Sequence, residues 1–261
     1  MTGGGIVRGR RPGPGRVSAL AAMVGRLEAP SHGPIDQDRR TVQRLRFGIG
    51  GIGLLLPPAL PLGNWIFARF GHSTAILPGS MSGSYYTGTR NIFVGALCAL
   101  GVFLIGYRFN PRDDLWSTVA GVFAICVAMC PTAPDAPTAY QTAIGYAHLG
   151  SAAILLLSLA MFCLVSFRDP GAADRRARNR GYLAAGLLIL AFLVVAVVAG
   201  ATHWGRGWTP TPLYACEALS VWAFGAAWIA AAFELREPAP AGAPLETPPP
   251  TRPTSATGVL S

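Results

Sequence analysis

The chain contains no lysine: all 21 of its basic residues are arginine. No Walker lysine can reach a phosphate, and no lysine can form a Schiff base with retinal or pyridoxal phosphate. A GC-rich gene accounts for the bias, since Ala, Gly and Pro are abundant too, but the chemical exclusion holds. Charge is scarce altogether, at 13% of residues beside 51% hydrophobic, about half of what a soluble domain carries. Histidine occurs four times, and neither H-E-x-x-H, H-x-x-x-H nor C-x-x-C is present, so no ready-made metal motif exists. No repeat at solenoid or propeller spacing breaks the 261 residues into units, which points to one domain.

What is present is apolar length. Six runs stand out: Phe47–Phe67, Asn91–Phe109, Leu115–Pro131, Tyr146–Phe167, Tyr182–Thr202 and Leu213–Phe233. A hydrocarbon core of about 30 Å takes about 20 apolar residues in a helix, with roughly 17–25 tolerated. The pattern predicts an all-α fold, a multi-pass transmembrane bundle of six helices.

The arginines predict which way it faces. Nine precede the first run, two lie between runs two and three, five between four and five, and two in the tail. Those segments share one side if all six runs cross, leaving only Arg69, Arg90 and Arg206 on the other. The positive-inside rule then places both termini in the cytoplasm and the protein in the cell (inner, plasma) membrane. Trp65, Tyr146, Trp204, Trp208 and Tyr214 fall near outer ends, and Tyr107, Trp116 and Tyr182 near inner ones, as interfacial aromatics do. The net charge of +9 needs no nucleic-acid partner. Basic collars face anionic membrane lipids, each residue gaining about 1 kcal/mol there.

Residues 1–46 read as a basic, largely disordered cytoplasmic extension, 47–233 as the six-helix domain, and 234–261 as a Pro-rich disordered cytoplasmic tail. The apolar run Val17–Gly25 after basic residues invites a signal-peptide reading, but cleavage there would leave Arg39–Arg46 outside, against the charge asymmetry. Met23 is an alternative start.

Within run one, Gly48, Gly50, Gly51 and Gly53 imitate a dinucleotide fingerprint without its strand. Pro57, Pro58 and Pro61 follow. Each proline removes an amide donor and frees the carbonyl four residues back, and lipid offers that carbonyl no partner. Either the helix lines a cavity or hinge there, or the bundle tolerates a kink. In run six Ala223, Ala227 and Ala231 recur at four-residue spacing, a packing stripe for the bundle itself or for a homo-oligomer. Cys98, Cys126, Cys130, Cys163 and Cys216 all fall within runs and read as small apolar residues; Cys130 and Cys216 sit near the outer side, where a disulfide is open to them.

Polar groups at membrane depth are the functional pointers. Glu217 is the acid placed there, one turn into run six. Asp113 and Asp114 open run three and suit the positive end of its helix dipole. His72, His148 and His203 are expected on the outer side, His148 sharing a face with Ser151. With Glu217, Asp135 and the outer cysteines they offer zinc ligands, a metal set of His148, His203 and Glu217 that would activate water against a lipid amide or ester. The stretch Leu77–Asn91, LPGSMSGSYYTGTRN, crowds Ser80, Ser82, Tyr85, Tyr86, Arg90 and Asn91 before run two. It reads either as a headgroup-binding loop, with Arg90 on an anionic group, or as a helix cap. Ser82-Gly83 falls short of the Gly-x-Ser-Gly of intramembrane serine proteases, because position 80 is serine and run six lacks a histidine base.

Ser80, Ser82, Tyr85, Tyr86 and Thr87, followed by Arg90-Asn91-Ile92-Phe93-Val94-Gly95, resemble the S-I-S-A-Y-Y-Y-T and R-N-V-F-V-G signature of an uncharacterised family of bacterial six-helix membrane proteins. Tyr107-Arg108, Asp114, Pro131–Pro134 and Gly145–His148 are similar as well. More distantly the layout is similar to the DRAM/Frag/Sfk group, six-helix proteins linked to autophagy or lipid handling. It also resembles the ceramidase and adiponectin-receptor zinc hydrolases, without their paired histidines on the last helix. The resemblance implies a fold and candidate positions, with no established reaction. The expected site is therefore an outer polar pocket where Ser80, Ser82, Tyr85, Tyr86, Arg90, Asn91, His148 and Glu217 bind a lipid or small amphiphile, with no cofactor. A zinc hydrolase and a small-molecule transporter are the alternatives.

Overall fold

A computed structural model describes residues 34–71, 76–109, 111–169 and 175–235. The expected extension and tail therefore fall largely outside the described residues, as does His72. Among the described residues six α-helices are present: α1 (Pro34–Ala68), α2 (Arg90–Gly106), α3 (Pro111–Met129), α4 (Ala139–Met161), α5 (Arg176–Thr202) and α6 (Pro212–Glu234). A 3-10 helix, Ser82–Tyr86, precedes α2, and a π-helical turn, Phe162–Ser166, prolongs α4. Four helical segments are long and apolar enough to cross a membrane: Arg39–Ala68, Ala139–Ser166, Arg176–Thr202 and Pro212–Glu234. The chain is thus a multi-pass, all-helical membrane protein. Helix α2 is apolar but has 17 residues, and α3 carries Asp113 and Asp114 in its first turn.

Local chemistry sets the helix boundaries. Proline opens α1, α3 and α6, where its missing amide would have lacked a helical acceptor anyway. Thr138 and Gln141 form a reciprocal capping box on α4, and Thr211 caps α6 by accepting from the Tyr214 amide; such caps contribute about 1 kcal/mol each. At the end of α5, His203 turns left-handed with φ of 54°. The first helix starts 13 residues before its apolar run, at Pro34 rather than Phe47.

The helices close into a ring in chain order, each packing on its neighbours and α1 returning against α6. Side-chain contacts show that directions alternate. At one end the start of α1 meets the end of α6: Gln43 Nε2 donates to the Ala232 carbonyl at 2.9 Å, and Phe47 packs edge-on against Phe233. The end of α2 joins there through Tyr107, whose carbonyl accepts from Ser117 of α3. Phe167, just past α4, touches Tyr182 of α5, and the Tyr182 hydroxyl donates to Glu234 of α6 at 2.6 Å. Both ends of the helical domain therefore lie at the same end of the bundle.

Two close approaches hold the ring. A Cβ on Gly225 would sit 2.8 Å from the Leu54 nitrogen, and one on Gly121 would sit 2.6 Å from the Gly101 carbonyl oxygen. Only glycine permits these contacts of α6 with α1 and of α3 with α2, the small-residue packing on which membrane helices rely. Of the alanine stripe, Ala227 and Ala231 are buried inside the bundle and Ala223 is half-buried against its core.

Helix α1 runs unbroken through all three prolines. Pro58 frees the Leu54 carbonyl, and the Trp222 indole N–H of α6 donates to it at 3.0 Å. Pro61 frees the Pro57 carbonyl, which accepts from the Tyr214 hydroxyl at 3.3 Å. These two freed carbonyls clasp α1 to α6.

Candidate functional site

The end opposite the meeting of α1 and α6 is covered by the segment 76–89, and most of the polar residues expected at a site are engaged in holding it. Ser80 Oγ accepts from the Gly83 amide at 2.9 Å, starting the 3-10 helix as a local cap. Glu217 of α6 accepts from the Met81 amide and from Ser82 Oγ at 3.4 Å. Its carboxylate thus supplies the cap that Met81, lacking a side-chain acceptor, cannot. Thr211 Oγ1 donates to the Gly79 carbonyl at 2.6 Å, and Asn64 Nδ2 of α1 donates to the Ile76 carbonyl at 3.3 Å. The Tyr86 hydroxyl donates to the Thr132 carbonyl after α3. Burial and the neighbouring Tyr85 phenol push the Tyr86 hydroxyl above its ordinary range, against the pull of Arg90, so it stays protonated and able to donate.

Arg90 is exposed. Its guanidinium lies 4.1 Å over the Tyr85 ring and donates to the Tyr85 hydroxyl at 2.6 Å. Asn91 beside it is exposed at the first turn of α2. His148 is 2% exposed, and its Nδ1 lies 2.6 Å from the Cys130 carbonyl oxygen at the end of α3. With a proton on Nδ1 the ring caps that helix and Nε2 remains an acceptor. His203 stands exposed at the end of α5, and Asp135 pairs with Arg206 at 2.9 Å on the surface.

Among the described residues, no group of three His, Cys, Asp or Glu side chains comes together to hold a metal. His148 and Glu217 bind different backbone segments, and His203 belongs to a third. All five cysteines are free, so the disulfide open to Cys130 and Cys216 is not formed.

Two further polar residues, which sequence reasoning passed over, are buried near this end. Ser84 and Ser220 are buried, 0% and 1% exposed, and neither hydroxyl has a hydrogen-bond partner. Ser220 lies one turn along α6 from Glu217, and Ser84 two residues along the 3-10 helix from Ser82. The signal for Ser220 was its i, i+3 spacing from the membrane acid, which puts both on one helix face.

At the opposite end, Arg46 is 6% exposed. Its Nε and Nη2 donate to the Tyr107 hydroxyl at 3.0 and 2.8 Å, and its Nη1 to the Ala231 carbonyl at 2.9 Å. Phe109 and Phe167 flank the guanidinium at 4.8 and 5.3 Å. Read from sequence as one more surface charge, it is an internal tie between α1, α6 and the end of α2. Compared with known proteins, the chain matches no family model, no curated protein and no solved structure.

Proposed function

We propose that the protein is a non-catalytic component of the cell membrane that binds a lipid or small amphiphile at the end capped by segment 76–89, with its arginine-rich end in the cytoplasm. The observation that carries the binding reading is the pair of buried, unpartnered hydroxyls, Ser84 in the 3-10 helix that Glu217 caps and Ser220 one turn along α6 from Glu217. A buried polar group without a partner costs about 1–3 kcal/mol, and the other polar side chains of the cap are bonded. A polar headgroup held between the 3-10 helix and α6 gives the two hydroxyls their partners. Arg90, steadied on Tyr85 with Asn91 alongside, stands at the rim, where it suits an anionic group of the membrane surface.

The orientation rests on charge. Arg39, Arg40, Arg44, Arg108, Arg168, Arg175, Arg176, Arg178 and Arg180 belong to the end where α1 starts and α6 stops, against Arg69, Arg90 and Arg206 at the capped end. Positive-inside bias then makes the capped end extracytoplasmic.

Native mass spectrometry of protein extracted into mild detergent tests the binding reading. Wild type is expected to retain a lipid or amphiphile, and Ser84→Ala/Ser220→Ala to release it. Wild type that retains nothing, and whose melting temperature no amphiphile raises, would refute it. If the hydroxyls are simply idle, the double alanine variant becomes more stable than wild type, the opposite of the expected sign.

A further inference from the structure

Glu217 is a carboxylate six residues into α6, a helix apolar enough to cross the membrane. It accepts from the backbone amides of Met81 and Ser82 and, at 3.4 Å, from the Ser82 hydroxyl. Among the described residues no arginine or histidine forms an ion pair with it. Arg90, the nearest cation in sequence to the cap, is directed onto Tyr85 instead. The groups facing the carboxylate from its own helix, Tyr214 and Cys216, and from the cap, Ser82, are uncharged. A carboxylate held there without a counter-charge is stabilised in its ionised form most by a cation with hydrogen bonds to give.

We propose that the headgroup received at the capped end is a protonated amine, paired with Glu217 and donating to the hydroxyl oxygens of Ser84 and Ser220. This rests on the binding reading above and assigns its ligand class. An ammonium carries three N–H donors and no acceptor, whereas carboxylate and hydroxyl oxygens all accept. The chemistry fits charge and donor count together. A carboxylate or phosphate headgroup would bring a second acidic group against Glu217, and an alcohol would satisfy the hydroxyls but bring no counter-charge.

The experiment compares four single-chain probes of one alkyl length on detergent-solubilised protein: the primary amine, the trimethylammonium, the alcohol and the fatty acid. Each is added below its micelle-forming concentration and read by melting temperature. The amine is expected to half-saturate its stabilising effect at about tenfold lower concentration than the alcohol, as a charge-assisted bond contributes on that order. The trimethylammonium, which has no N–H, should fall behind the amine, and the fatty acid should give no shift. Glu217→Gln keeps an acceptor for the Met81 amide and should lose the amine's advantage. Amine and alcohol acting equally, or the advantage surviving in Glu217→Gln, would overturn the assignment. Should the variant fail to fold, the four probes on wild type still decide. Alcohol binding without an amine preference refutes the headgroup class and leaves the binding reading standing; no shift from any probe, with no co-purified lipid, refutes both.

Discussion

The indole N–H of Trp222 donates to the carbonyl oxygen of Leu54 at 3.0 Å, the carbonyl that Pro58 has deprived of its helical donor. A helix-breaking residue on α1 is thus answered by a side chain on α6. The same exchange recurs between Pro61 and Tyr214, whose hydroxyl reaches the Pro57 carbonyl.

This pairing predicts a coupling. Trp222→Phe removes the donor and should destabilise the protein by about 1–2 kcal/mol, the cost of an unpaired backbone carbonyl. In a Pro58→Ala background the helical amide returns, and Trp222→Phe should then be near neutral. A denaturation-based double-mutant cycle measures this. Equal effects in both backgrounds would mean that the indole bond does not answer the proline.

Arg46 should tolerate no simple replacement. Its bonds to the Tyr107 hydroxyl and the Ala231 carbonyl use the guanidinium fork, which lysine lacks. Arg46→Lys is expected to lower stability by about 1–3 kcal/mol, and Tyr107→Phe by a similar amount. The two losses should fall well short of additive in the double variant, because each removes the same bonds.

Glycine substitutions should separate sharply by position. In Gly121→Ala the new Cβ would meet the Gly101 carbonyl oxygen at 2.6 Å, backbone that cannot yield, and should cost about 1–3 kcal/mol. Gly95 faces nothing within 4 Å, and Gly95→Ala should be neutral or gain up to about 1 kcal/mol from helix propensity. Thermal melting of both variants in one detergent checks the contrast.

Side-specific labelling tests the orientation. In a chain freed of native cysteines, Arg44→Cys and Arg180→Cys should react with a membrane-impermeant maleimide only after the cells are opened. Asp135→Cys should react on intact cells. Labelling of Arg44→Cys and Asp135→Cys from the same face would defeat the six-pass layout.

Apolar length and arginine placement, both local properties, were enough to read the number of helices, their order and their alternation. Partitioning of an apolar run into lipid needs no knowledge of its neighbours. The individual boundaries were less legible. Helix α1 begins at Pro34 because helical hydrogen bonding continues past the apolar stretch, and composition alone does not register where it stops. The prolines announced that carbonyls would be freed, but not that Trp222 and Tyr214 would meet them.

What the sequence by itself determined is the class of molecule and the groups that lipid would not accommodate unpaired, Glu217 and the proline-freed carbonyls. Only the tertiary structure decided how each was satisfied. It gave Glu217 to the cap, His148 to the end of α3 and Arg46 to Tyr107, and it left Ser84 and Ser220 without partners. Hydrophobic partition acts on one helix at a time, whereas a hydrogen bond needs two atoms within about 3 Å. Which atoms meet at that distance is settled when the ring closes.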